Sequence, residues 1–240
     1  MKTFLIIFVL IFLILIEVKA SSTEALYIDL KFYIPNDITM TERNVEMKSW
    51  MDEKYLKKLV QNTNNIYEEN FKKYKIVPII QFNYSSLTRL DVLSALRNKN
   101  IEERLKFISE TTREDSDKRQ KTRAKYISAI FGNKVISSND NKKNINVYFV
   151  PYIGISLGGY AKKSIEKKDL YMSEWLSREN IKPFKQKINH LSKVFAHEIG
   201  HVLLLEHHKN KDPKYLMHGG TLLKKEEVET VLKSAKEILD

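Results

Sequence analysis

His197-Glu198-Ile199-Gly200-His201-Val202-Leu203-Leu204-Leu205-Glu206-His207, followed after a short interval by Met217, is the stretch on which the reading of this chain turns. All six histidines fall between His190 and His218. On a helix, positions i and i+4 lie one turn apart on one face, so the imidazoles of His197 and His201 can reach one ion. Glu198, beside the first of them, is placed to polarise a metal-bound water. Leu191 to Ala196 before the pair and Val202 to Leu205 after it are mostly apolar, as a buried helix requires. A helix that simply continued could not supply a third histidine. His208 would share the face of His197 but lie about 16 Å along the axis at about 1.5 Å per residue. Zinc–nitrogen bonds are about 2 Å. The helix must therefore end near Leu203 and the chain must fold back. The plain alternative is an apolar core helix whose histidines are merely buried or solvated.

On these residues the chain resembles the metzincin clan of zinc peptidases. Their signature is H-E-x-x-H-x-x-G-x-x-H followed by a methionine-bearing turn, which corresponds here to Tyr215-Leu216-Met217-His218. The resemblance implies that His197, His201 and His207 ligate one catalytic Zn2+, that Glu198 is the general base, and that Met217 forms a soft apolar floor beneath the imidazoles. It also implies an α+β fold of the zincin type, with a mixed twisted sheet, a backing helix, an active-site helix and a short C-terminal subdomain. One position departs from the signature. Its glycine falls at Leu204, where a left-handed residue ends the helix at a cost of about 1–2 kcal/mol to a residue with a Cβ. Leu204 must carry that strain or turn the chain another way. His208 is an alternative third ligand if the turn is one residue longer, and Glu226 and Glu227 are acidic alternatives downstream. His218 reads either as lining the cleft or as a solvated residue.

The N-terminus carries Lys2 and then an uncharged apolar run from Phe4 to Ile16. That is short for a membrane span, which needs about 20 residues, and fits the central region of a secretory signal. Val18-Lys19-Ala20 offers small residues for cleavage before Ser21. Residues 1–20 are thus expected to be a signal peptide, and the product a secreted or periplasmic protein with no stable membrane anchor. Residues 21–240 suffice for one catalytic domain, with an N-terminal subdomain over 21–207 and a C-terminal one over 208–240. A monomer is expected. The chain has no cysteine, so it has no disulfide and no thiol-based switch. The formal net charge is +11, but the lysines are scattered among Asn, Ile and Glu. No nucleic-acid motif with interleaved aromatics accompanies them, so no nucleic-acid partner is expected.

Along the chain, Ala25 to Ile34 alternates as a strand stopped by Pro35. Asn44 to about Lys73 has helical spacing, with a break expected over 62–65. Ile76 to Tyr84 reads as a strand whose Pro78 end lies at an edge or a bulge. The charged stretch 87–131 suggests two or three helical segments. Ile145 to Val150 is a strong strand, and Asp169 to Trp175 is expected to be the last. Lys185 to about Leu203 is the active-site helix, and Leu222 to Leu239 an amphipathic closing helix. By the resemblance, the segment after Val150 forms an antiparallel edge that pairs with a bound peptide. Leu157, Gly158, Gly159 and Tyr160 would then be the substrate rim, with Gly158 and Gly159 allowing close backbone approach.

The expectation is a zinc metalloendopeptidase, a hydrolase that acts on peptide or protein substrates through a zinc-activated water and Glu198. The alternative is a catalytically inactive zincin-fold binding protein or toxin component, which the intact Glu198 disfavours.

Overall fold

The computed structural model describes residues 24–42, 44–91, 103, 105–106, 122, 125–126, 143–153, 159–161, 168–177, 181–183, 188–209 and 212–240. The expected signal peptide, most of the 87–131 stretch, and Leu157 and Gly158 of the expected rim lie outside them. In chain order the elements are β1 (Ala25–Pro35), β2 (Thr39–Glu42), β3 (Val45–Lys48), α1 (Glu53–Tyr74), β4 (Ile79–Leu90), β5 (Asn144–Val150), β6 (Gly159–Ala161), β7 (Asp169–Ser173), β8 (Trp175–Ser177), β9 (Ile181–Pro183), α2 (Ile188–Val202), a short 3-10 turn (Leu216–His218) and α3 (Lys225–Leu239).

The fold is α+β, built on a five-stranded sheet in the order β4-β1-β5-β7-β6. β1 runs parallel to both β4 and β5, and β5 parallel to β7. Only β6, at one edge, is antiparallel. β4 forms the other edge, and it begins at Ile79 rather than Ile76, so that Pro78 lies just before it. Alternation along β1 explains the layering. Ile28, Leu30, Phe32 and Ile34 join the core that α1, α2 and α3 cover, together with Phe82, Val147, Phe149 and Met172. Tyr33 enters a second cluster with Ile38, Met40, Met47, Tyr148 and Tyr171. There Tyr33, Tyr148, Tyr171 and Tyr160 stand in register across β1, β5, β7 and β6. Their rings stack with centroids 5.1, 5.5 and 6.3 Å apart, the cross-strand pairing that favours a pleated surface.

Several boundaries differ from the expectations, each for a physical reason. Residues 44–48 are not the start of a helix. They form the second strand of the β2–β3 hairpin, in which Met40 pairs with Met47. A Met-x-x-Trp-Met spacing fits a helix face, but Val45 and Met47 also alternate, and the contact with the tyrosine face decides between the two. The backing helix begins instead at Glu53, where the Asp52 carboxylate accepts a hydrogen bond from the Tyr55 amide at 2.9 Å. It runs unbroken through 62–65, because the asparagines there serve as ties. Asn62 donates to the Ser192 hydroxyl, and Asn64 both donates to the Phe82 carbonyl and accepts from its amide. β4 extends to Leu90, so residues 87–90 are strand rather than helix. The strand at 169 ends at Ser173, and β8 and β9 follow as a separate antiparallel pair. α2 is described from Ile188, the expected start at Lys185 lying outside the described residues, and α3 begins at Lys225 rather than Leu222.

α1 fixes α2 against the sheet. The buried Tyr67 hydroxyl donates to the Ala196 carbonyl at 2.9 Å. Burial of Leu56, Leu59, Val60, Ile66 and Phe71 on one stripe of α1 is worth about 1.5–3 kcal/mol for each large apolar side chain. No helix among the described residues is long and apolar enough to cross a membrane.

Candidate metal centre

His197 and His201 project from one face of α2, with ring centroids 4.8 Å apart. The helix ends where its third histidine requires. The Leu204 amide donates to the His201 carbonyl at 3.1 Å, and the Leu205 amide reaches back to the Gly200 carbonyl at 2.8 Å. These are the two bonds of a Schellman motif. Leu204 takes the left-handed place in it with φ 67°. Of the two possibilities open to Leu204, it thus bears the strain rather than diverting the chain. The reversal brings His207 to the pair. Its Nε2 lies 3.1 Å from Nε2 of His197 and 3.2 Å from Nε2 of His201.

The other ring nitrogens show what those Nε2 atoms offer. Nδ1–H of His197 donates to the Leu216 carbonyl at 2.9 Å, and Nδ1–H of His201 to the Leu205 carbonyl at 3.0 Å. With these protons committed, both neutral rings direct Nε2 lone pairs toward one point. Carbonyl partners of this kind fix the tautomer of a metal-ligating histidine. Burial is the main influence holding His197 below its ordinary pKa, with the Leu216 carbonyl opposing and His207 and His218 reinforcing. The neutral form that can ligate is therefore favoured. Three nitrogens about 2.0–2.1 Å from a tetrahedral zinc would be separated by about 3.3 Å. The residues thus fit a small divalent cation, and His197, His201 and His207 could hold one.

Of the alternative ligands, His208 and Glu227 are engaged with each other. Nε2 of His208 bonds Oε1 of Glu227. Oε2 of Glu227 accepts from the Lys224 amide at 2.7 Å, closing the capping box of α3. His218 is half-buried beside the cluster, its ring 5.8 Å from that of His207, and its Nε2 accepts from the His208 amide at 3.1 Å.

Glu198 is buried against β6. Burial pushes its carboxyl up to about 8, against the lowering effect of a hydrogen bond from the Ala161 amide. Gly159 makes that approach possible. A Cβ there would stand 2.7 Å from both Glu198 Cγ and Met172 Sδ. The missing side chain of Gly159 thus makes room for Glu198. Tyr160, the other described rim residue, stacks on Tyr171. Met217 is buried with Sδ beneath Gly200, 3.0 Å from where a Cβ would lie.

The segment carrying Met217 hangs on α1. Asn70 accepts from the Leu223 amide and donates to the Thr221 carbonyl, both at 2.7 Å. The Tyr74 hydroxyl donates to the Leu223 carbonyl at 2.9 Å. Sequence reasoning missed Asn70, Tyr74 and the structural use of Glu227, since nothing in local spacing marks a tie to a partner so far along the chain. Leu205 and Leu216 were equally invisible, because they act through backbone carbonyls that any residue supplies.

No protein-family model matches this chain, and no curated protein matches it. Among solved structures, the chain is similar to one described as a chaperone-substrate complex, with 13% identity and a TM-score of 0.45. The match covers 90% of this chain and 35% of that one.

Proposed function

We propose that this chain is a secreted or periplasmic zinc metalloendopeptidase of metzincin type, with one catalytic Zn2+ on His197, His201 and His207. The observation that carries the reading is the convergence of three histidine Nε2 atoms at 3.1 and 3.2 Å, two of them from the helix that also bears the buried carboxylate of Glu198. A zinc ion held there would supply Lewis acidity, acidifying a water and polarising a scissile carbonyl. Glu198 takes a proton from the attacking water and returns it to the leaving amine. Its place beside the Ala161 amide sets this carboxylate next to β6, an edge strand of the sheet among the described residues. A substrate peptide in extended form would add to that edge through its backbone. The apolar setting of Glu198, which raises its proton affinity, suits a group that must hold a proton between the two transfers. Met217 supports the imidazoles from below through Gly200. The N-terminal apolar run supports export.

The test is cleavage of a diverse peptide mixture by the zinc-loaded protein, read by mass spectrometry, beside Glu198→Ala. Wild type is expected to cut internal peptide bonds. The variant should keep its zinc and lose roughly 10²–10⁴-fold in turnover. A Glu198→Ala protein with most of its activity would sink the mechanism, and a wild type that binds zinc but cuts nothing would favour a binding role.

A further inference from the structure

Two of the three imidazoles are held by a helix, whereas His207 stands on the irregular chain beyond it. We propose that Glu227, acting through His208, is the positioning residue that fixes this third metal ligand. The inference rests on the zinc reading above and names how the chain completes that site.

The geometry traces a continuous strut. Glu227 sits in the first turn of α3, with 8% of its surface exposed and both carboxylate oxygens engaged. Oε2 is held by the Lys224 amide, so the carboxylate cannot rotate freely, and Oε1 faces His208 Nε2. The His208 ring is further confined by the edge of Tyr215, at 5.4 Å between centroids, and by His218, at 5.5 Å. The His208 amide donates to Nε2 of His218. That bond requires a lone pair on Nε2, so the proton of a neutral His218 lies on Nδ1. His208 is thus pinned at both its side chain and its backbone, and the peptide unit joining it to His207 inherits the constraint. The far end of the strut is anchored as well, because Asn70 and Tyr74 of α1 bind the chain entering α3. In this arrangement His208 and Glu227 neutralise each other as rival ligands and are put to use as a brace.

Zinc affinity, measured by competition with a chromophoric chelator on the purified protein, tests this without reference to turnover. Glu227→Ala and His208→Phe are each expected to weaken zinc ten- to a hundredfold, the range for removing a partner that orients a ligand. The double variant should be no weaker than either single one, because the two residues act in series. His208→Gln keeps an N–H for Glu227 and should stay within about threefold of wild type. Asn64→Ala serves as the control. It unties α1 from Phe82 of β4 without touching the strut, so it should lower thermal stability and leave zinc affinity unchanged. If Glu227→Ala fails to fold, the contrast between His208→Phe and His208→Gln decides alone. Wild-type affinity in both Glu227→Ala and His208→Phe would overturn the inference, as would additive losses in the double variant. A wild type that binds no zinc would remove the zinc reading itself, a result distinct from variants that bind as tightly as wild type.

Discussion

Helices α1 and α2 end in the same way. Lys75 and Leu204 both take the left-handed conformation, with φ 55° and 67°. After α1 the Lys75 amide bonds the Lys72 carbonyl and the Ile76 amide the Phe71 carbonyl, as Leu204 and Leu205 bond His201 and Gly200 after α2. The motif itself is therefore not what gathers the three histidines. The difference lies in what each exit hands on. Beyond Lys75 the chain passes into an edge strand. Beyond Leu204 it gives the Leu205 carbonyl to His201 and delivers His207 and His208 to partners on α2, the Met217 turn and α3. A helix end common to both has been recruited at one of them.

That comparison can be broken most severely at the ties that receive the second exit. Asn70→Ala should leave the Thr221 carbonyl and the Leu223 amide without their partner and cost about 2–4 kcal/mol in denaturant unfolding. No loss there would mean that the segment after α2 holds itself. A smaller effect separates the two ends. Lys75→Val and Leu204→Val place a β-branched residue in the left-handed region, and each should lower stability by about 1–2 kcal/mol. Only Leu204→Val should also weaken zinc, because only there does the exit orient a ligand. Equal zinc affinity in the two variants would contradict this. The smallest effect has the opposite sign. Lys75→Gly and Leu204→Gly relieve the same strain and should change stability by less than about 1 kcal/mol, toward stabilisation, as read by thermal unfolding.

The share of this architecture that was legible in the sequence follows from the range of each interaction. His197, Glu198 and His201 could be placed together because helical spacing alone determines it. The need for a break near Leu203 came from the reach of a metal bond, and Leu204 met it by accepting strain. β1 and β5 announced themselves by apolar patterning. The hairpin at 39–48 did not, because its Met40–Met47 pair satisfies two periodicities and only packing on Tyr33 and Tyr148 separates them. The division of labour between His207, His208 and Glu227 was open in the sequence, since histidine and glutamate can both bind a cation. The pairing that sets His208 apart from His207 is visible only in the fold, where α3 brings Glu227 to His208.

The position of β1 carries a consequence for how this molecule comes into being. It is an inner strand with β4 on one side and β5 on the other, so residues near Asp29 take their partners near Asn83 and Asn144. Parallel pairing over such separations closes large loops before it returns any contact energy. During synthesis the first strand must therefore wait, unpaired on at least one edge, until residue 150 has left the ribosome. Pairing of this inner strand is a late event, and the sheet with the three-histidine cluster behind it assembles only after segments far downstream of β1 have emerged.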